Sequence, residues 1–321
     1  MHTMIHSNPF FFAFAFFISI LNLRGQNTDP IQEGSGYFQM EVGNLDDTRK
    51  INVYYHRPKN FNPDSKVILV IPGAGRNADT YRDAWIVNSE KYNVLVLSPM
   101  YPKSEYGFED YHLGGIIQNL NISECISWVE GTNEAILYED KLVYHVNPKK
   151  RKWLFNDFDA IFDFAITATQ SNQTSYDIFG HSAGGQILHR FALFHPFSKA
   201  DRILASNSGF YTLPDFGSPL PFGLKNSSLT VDDLKASFGK KLILFIGEMD
   251  NENETGGTLL RSKSADQQGY HRLERAQYSY LLSQNNSKKL GAMFNWKIKI
   301  VPKIGHDYRK MSQAAGSYLY E

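Results

Sequence analysis

Cysteine is all but missing from this chain. Cys125 is the only one among 321 residues, so no intramolecular disulfide can form. Stability must come from a packed core, which a chain of this length can bury. A lone thiol with no flanking motif reads as a buried, inert side chain. Net charge is missing too, with 33 Lys and Arg against 33 Asp and Glu. That excludes the basic surface whose counterion release drives nucleic-acid binding. The single short basic run, Lys149-Lys150-Arg151-Lys152, reads as a solvated loop or helix start. There are no heptads, internal repeats or low-complexity tracts, and no His/Cys cluster at metal-ligand spacing. The stretch from Asp250 to Gly256 looks superficially like a calcium loop, but its twelfth position is Arg261 rather than an acid. The expectation is therefore a protein with no metal and no cofactor.

Long apolar runs are also lacking. A membrane span needs about 20 residues, and the charge-free run Phe10 to Leu23 has only fourteen. It suits the apolar core of a secretory signal peptide, followed by the polar stretch Arg24 to Gly36. An uncleaved anchor and a buried N-terminal helix are the alternatives. The expected division is a signal peptide over 1–25, cut near Gly25-Gln26, and one domain over 26–321. Such a protein is secreted or periplasmic, with no membrane span once the signal is removed.

What is present is a globular mix, 42% hydrophobic and 21% charged. After residue 36, strand patterns alternate with helix patterns, the signature of a mostly parallel sheet covered on both faces. Eight strands are expected, at 37–42, 50–55, 66–71, 93–97, 176–179, 202–205, 241–246 and 296–301. The first two are read as a hairpin and the rest as joined by crossovers. Helices are expected at 79–91, 155–169, after Gly184, and at 266–284. Residues 100–150 are irregular, with a short hairpin expected near 136–146. Ligands of such sheets bind at the carboxyl ends of the strands, so the chemistry should sit just beyond them.

The motif that carries chemistry is Gly180-His181-Ser182-Ala183-Gly184-Gly185, between the strand Tyr176-Asp177-Ile178-Phe179 and a helix-compatible run. It fits the nucleophile-elbow pattern Gly-x-Ser-x-Gly. A serine on so sharp a turn is strained, and residues two before and two after it come too close for side chains. The turn lifts the Ser182 hydroxyl into a cleft and aims the Ala183 amide at a developing oxyanion.

With this motif the chain resembles the α/β-hydrolase superfamily from residue 36 to the end. It is similar to secreted esterases related to polyhydroxybutyrate depolymerases and feruloyl esterases, which share Gly-His-Ser-Ala-Gly-Gly and a Pro-Gly or His-Gly turn after the third strand. The resemblance implies an eight-stranded sheet and an oxyanion-hole residue in Pro72-Gly73-Ala74-Gly75. Ala74 is the first choice and Gly75 the second. It also implies the order Ser, acid, His, with the acid after the seventh strand and His after the eighth. Asp250 in Gly247-Glu248-Met249-Asp250 takes the acid place, with Glu248 and then Asp215 as alternatives. His306, after Pro302-Lys303-Ile304-Gly305, takes the base place.

The expected activity is hydrolysis of carboxylic esters through an acyl-enzyme on Ser182, on a small-molecule or polymer-borne substrate. Two other readings stay open at this point. One is a catalytically silent member of the fold that binds a ligand or carbohydrate. The other is a serine peptidase on the same fold. Tyr101, Tyr211 and Met249 follow strands at the active edge and are candidates for substrate contact. The long connections 100–150 and 206–240 are candidate lids. The oligomeric state is not encoded in any of these patterns.

Overall fold

Each central strand is a nearly unbroken apolar run, and such a run is stable only when both its faces are covered. A computed structural model, which describes residues 30–44 and 47–321, shows how this is met. The segment 1–25, expected to be a signal peptide, lies outside the described residues. Eight strands form one sheet: β1 (Gly34–Asn44), β2 (Asp47–Arg57), β3 (Lys66–Ile71), β4 (Val94–Met100), β5 (Tyr176–His181), β6 (Ala200–Ser206), β7 (Lys241–Gly247) and β8 (Lys297–Val301). Their order across the sheet is β1-β2-β4-β3-β5-β6-β7-β8. β2 pairs antiparallel with β1 and β4, and every other pairing is parallel.

The period-2 alternation of β3 divides its side chains between two cores. Val67, Leu69 and Ile71 face one, with Leu95, Leu97 and Ile178. Ile68 and Val70 face the other, with Val94, Val96 and Phe179. The first core is closed by α1 (Phe155–Thr169), α2 (Ala183–Phe194) and α3 (Arg272–Lys289), through Phe158, Ile161, Phe191 and Ala276. The second is closed by Tyr81, Trp85 and the C-terminal helix α4 (Tyr308–Tyr320), through Met311 and Ala315. Cys125 is buried and free.

Three local expectations are corrected. The helix expected at 79–91 is two pieces, Ala78–Asp83 and Ile86–Tyr92. Between them Trp85 is fully buried, with its ring 5.5 Å from that of Phe179. The helix expected at 266–284 is also two, Lys263–Gln268 and α3. His271, expected inside it, instead caps α3 by accepting from the Glu274 amide at 3.3 Å. The hairpin expected near 136–146 lies earlier, pairing Ile126–Trp128 with Glu134–Leu137. A third strand, Leu259–Arg261, adds parallel to Glu134–Leu137 and completes a small sheet. A separate two-residue pairing joins Ile117–Gln118 to His145–Val146. In the small sheet Trp128 and Leu260 both stand opposite Ala135, so one face gathers Ile126, Trp128, Ala135 and Leu260.

Candidate active site

The turn from β5 into α2 is as tight as its glycines require. Ser182 sits at φ +60° and ψ −115°, outside the ordinary regions for a residue with a side chain. Its amide donates to the Ser206 carbonyl at the end of β6 at 2.9 Å, which anchors the strained residue to the sheet. A Cβ on Gly180 would be driven into the Gly184 carbonyl, and one on Gly184 into the carbonyl of Ile71 at the end of β3. These two positions accept no side chain because backbone already occupies the space. Ala183 is the first residue of α2, so its N–H has no intrahelical partner.

The segment after β3 runs alongside. In it the Arg76 amide closes back on the Gly73 carbonyl at 3.1 Å. Gly73, Ala74, Gly75 and Asn77 face a cavity of about 520 Å³, as do Ser182, Ala183 and His306. Arg76 turns away, with its guanidinium 3.3 Å from the centre of the Tyr111 ring.

Asp250 and His306 arrive from the ends of β7 and β8. The imidazole Nδ1 donates to Asp250 Oδ2 at 2.8 Å, and both side chains are almost wholly buried. The same carboxylate accepts from Asn207 Nδ2 at 2.6 Å and, through Oδ1, from Arg272 Nη1 at 2.9 Å. Burial opposes its ionisation. The hydrogen bond from His306, the Arg272 charge and Asn207 outweigh that and hold the carboxyl well below the usual range. Burial, reinforced by the Arg272 charge, lowers the His306 pKa, with Asp250 pulling it partly back. The imidazole is thus neutral at pH 7, as a proton acceptor must be. No hydrogen bond joins Ser182 Oγ to His306 among the described residues. Nucleophile–base contacts of this kind are often long without substrate and tighten on binding.

The alternatives for the acid are engaged elsewhere. Glu248 Oε2 accepts from the Lys303 amide at 2.9 Å, and Asp215 accepts from the Gly217 and Ser218 amides of its own turn. Of the three candidate substrate residues, none lines the cavity. Tyr101 is fully buried against Tyr106 and Tyr111. Tyr211 is buried, and its amide and carbonyl both pair with the Gln268 side chain at 2.9 Å. Met249 is half exposed, with its amide on the Ile304 carbonyl. The wall is made instead by Phe108, Ile122, Ile126, Trp128, Phe210 and Leu260. The segments 100–150 and 206–240 thus reach the cavity through residues other than those expected.

Several supporting residues have no motif of their own. Arg272 uses one nitrogen for Asp250 and the other for the carbonyls of Gly257 and Thr258 at 3.0 and 2.9 Å, two residues of the cavity wall. Glu254 Oε2 accepts the His306 amide at 2.6 Å. Gly257, at φ +62°, lies against the imidazole, and a Cβ there would come within 2.6 Å of His306 Nε2. The signal for Asn207 was its place directly after β6, at the edge where the chemistry is expected.

The strand order, the elbow and a buried Asp–His pair at the rim define an α/β-hydrolase. No protein-family model and no curated protein matches the chain. Solved structures do. Poly(aspartic acid) hydrolase-1 from Sphingomonas sp. KT-1 is 32% identical, with a TM-score of 0.77 over 91% of this chain and 100% of that one. LpqC, a poly(3-hydroxybutyrate) depolymerase from Bordetella parapertussis, is 27% identical, with a TM-score of 0.73 over 89% of this chain and 90% of that one. An IroE-like serine hydrolase from Shewanella oneidensis, 12% identical with a TM-score of 0.52 over 89% of this chain and 80% of that one, shares the fold. The chain belongs to the α/β-hydrolase family that includes poly(aspartic acid) hydrolase-1 and this depolymerase, and these relatives are hydrolases.

Proposed function

We propose that the protein hydrolyses carboxylic esters through an acyl-enzyme on Ser182. The observation that carries this is the Asp250–His306 hydrogen bond at the wall of the same cavity as a serine held at φ +60°. Ser182 Oγ attacks the acyl carbon while His306 Nε2 takes its proton. The oxyanion is held by the amides of Ala183 and Ala74, and removing one such donor costs on the order of 100-fold in rate. Collapse breaks the ester bond, and His306 returns the proton to the departing alcohol. Water then gives a proton to His306 and attacks the acyl carbon. The acid leaves and Ser182 regains its hydrogen. Asp250 keeps the proton of His306 on Nδ1, leaving Nε2 free to accept. Among the described residues, the cavity wall carries no Asp, Glu, Lys or Arg side chain, which favours an uncharged substrate. The poly(3-hydroxybutyrate) depolymerase among the relatives makes a polymer-borne ester a candidate.

Export belongs to the same reading, motivated by the charge-free run Phe10 to Leu23. One experiment tests both. Protein recovered from the culture medium or periplasm is treated with a fluorophosphonate and digested for mass spectrometry. The expected result is one adduct, on the Ser182 peptide, and an N-terminus near Gln26. An unlabelled protein that turns over no acyl substrate would overturn this reading in favour of the silent ligand-binding fold.

The pH profile follows from the lowered His306 pKa. The acid limb of kcat/KM should fall with an apparent pKa below 6.5, the ordinary value for imidazole. Because the Arg272 charge contributes to the lowering, Arg272→Met should move that limb upward. Arg272→Lys keeps the charge and should leave the limb closer to wild type, a check needed because breaking a buried ion pair costs about 3–5 kcal/mol of stability. A limb that stays put in a folded Arg272→Met variant would remove Arg272 from the tuning of the base.

A further inference from the structure

In the ester mechanism His306 carries an extra proton twice, once from Ser182 and once from water. Each time a positive charge must be held on a side chain that is 5% exposed. In a simple Asp–His pair the carboxylate balances that charge. Here the carboxylate already has a cation. Arg272 Nη1 stands 2.9 Å from Asp250 Oδ1, and both side chains are buried. The formal charges of Asp250 and Arg272 cancel, so protonated His306 would leave these three residues with one net positive charge. A buried charge without a counter-charge is costly.

A second carboxylate touches the base. Glu254 Oε2 accepts the His306 amide at 2.6 Å, and Oε1 accepts the Gly256 amide at 2.7 Å. Both donors are neutral backbone groups. Among the described residues no Lys or Arg side chain forms an ion pair with Glu254, so its charge is not cancelled. The chain is shaped around it. A Cβ on Gly305, the residue before His306, would fall on Glu254 Oε2, and one on Gly256 would come within 2.9 Å of Oε1. The other titratable groups near the imidazole are occupied or neutral. His181, with its ring 4.5 Å from that of His306, is held uncharged by burial. Beyond it, burial keeps the Tyr81 hydroxyl protonated. Asp307 caps α4, accepting from the Arg309 and Lys310 amides. Burial and the Arg272 charge lower the His306 pKa, and the Glu254 charge acts with Asp250 in the opposite sense.

We propose that Glu254 is a positioning residue for the base, fixing the His306 backbone and supplying the negative charge that balances the imidazolium. This rests on the acyl-enzyme reading of Ser182. With Glu254 included, the cluster carries one negative charge while His306 is neutral and none once it is protonated. The arrangement therefore favours the protonation state of the transition state over that of the resting enzyme. Glu254 is half-buried, so water screens part of its charge and the effect is moderate.

The test is the pH profile of Glu254→Gln, which keeps the length and an acceptor for the His306 amide but removes the charge. With p-nitrophenyl butanoate, the acid limb of kcat/KM should move to lower pH by about one unit, and kcat on the plateau should fall by about 3- to 10-fold. Glu254→Asp keeps the charge and should hold the limb near wild type. Adding Arg272→Met to Glu254→Gln removes one charge of each sign, and the limb should return toward wild type. A merely structural role would lower the plateau and leave the limb in place. That result in a folded Glu254→Gln variant overturns the proposal, and so does a limb that moves upward. Glu254→Ala, a second neutral variant, is measured alongside in case Glu254→Gln does not fold. The pH at which the NMR signal of the His306 Nδ1 proton titrates should fall with the limb, and this measurement needs no substrate. An active wild type whose limb and NMR titration ignore Glu254 defeats this role alone. A wild type that neither labels with fluorophosphonate nor turns over an ester defeats the reading beneath it.

Discussion

Replacing Ser182 with Ala is expected to lower kcat on an activated ester by about a millionfold, the scale of loss when the nucleophile leaves a preorganised triad. The melting temperature should stay within about 2 °C of wild type. The split follows from the structure. The strain at φ +60° belongs to the backbone, and the Ser182 amide keeps its bond to the Ser206 carbonyl whatever the side chain. Only the attacking oxygen is lost. Parallel measurement of p-nitrophenyl ester turnover and thermal unfolding checks both halves. Activity above about 1% of wild type would remove Ser182 from the role assigned to it.

Gly184→Ala should do the reverse and strike the fold first. The added methyl meets the Ile71 carbonyl oxygen and the Pro72 carbonyl oxygen, both backbone atoms at the end of β3 and the turn beyond it. Neither can swing aside as a flexible side chain would. Moving β3 would disturb strands buried on both faces. A clash of this kind belongs to the rare class costing more than about 4 kcal/mol. In a domain of this size that lowers the melting temperature by about 10 °C or more, or leaves the protein insoluble. A soluble Gly184→Ala variant that melts with the wild type would mean that the elbow yields more readily than its contacts imply.

The sheet was largely legible in the sequence because its strands obey one rule. Runs such as Val67–Ile71 and Leu242–Ile246 are apolar at every position, and only burial on both faces explains that. Asp250 was findable because it closely follows such a run, Ser182 because its glycines mark the turn after Tyr176–Phe179, and His306 by its place after the last strand, and the structure brings Asp250 and His306 into contact. The small sheet was misplaced because strands of three or four residues are shorter than a period-2 pattern can resolve, and its third strand comes from 120 residues further on. Tyr101, Tyr211 and Met249 were chosen by their position along the chain. Which way a side chain turns after a strand ends depends on its partners, and for Tyr211 the partner is Gln268, 57 residues further on. Arg272 carries no motif of its own. Its ion pair with Asp250 needs two segments 22 residues apart to converge, and no local pattern reports that.

The small sheet over Ser182 has a consequence for how this protein can diversify. The elbow is locked against the backbone of β3 and β6, so its sequence has little room to drift. Among the described residues the hairpin Ile126–Leu137 has no such bond to Ser182, and its Trp128 is 69% solvent-exposed. It meets the Asp250 side along the seam of Glu134–Leu137 with Leu259–Arg261 and through Asn133, whose side chain donates to the Gly257 carbonyl at 3.0 Å. Lineages, or laboratory libraries, can therefore rewrite Ile126, Trp128 and Ala135 to reshape the cavity while Ser182, Asp250 and His306 stay where they are.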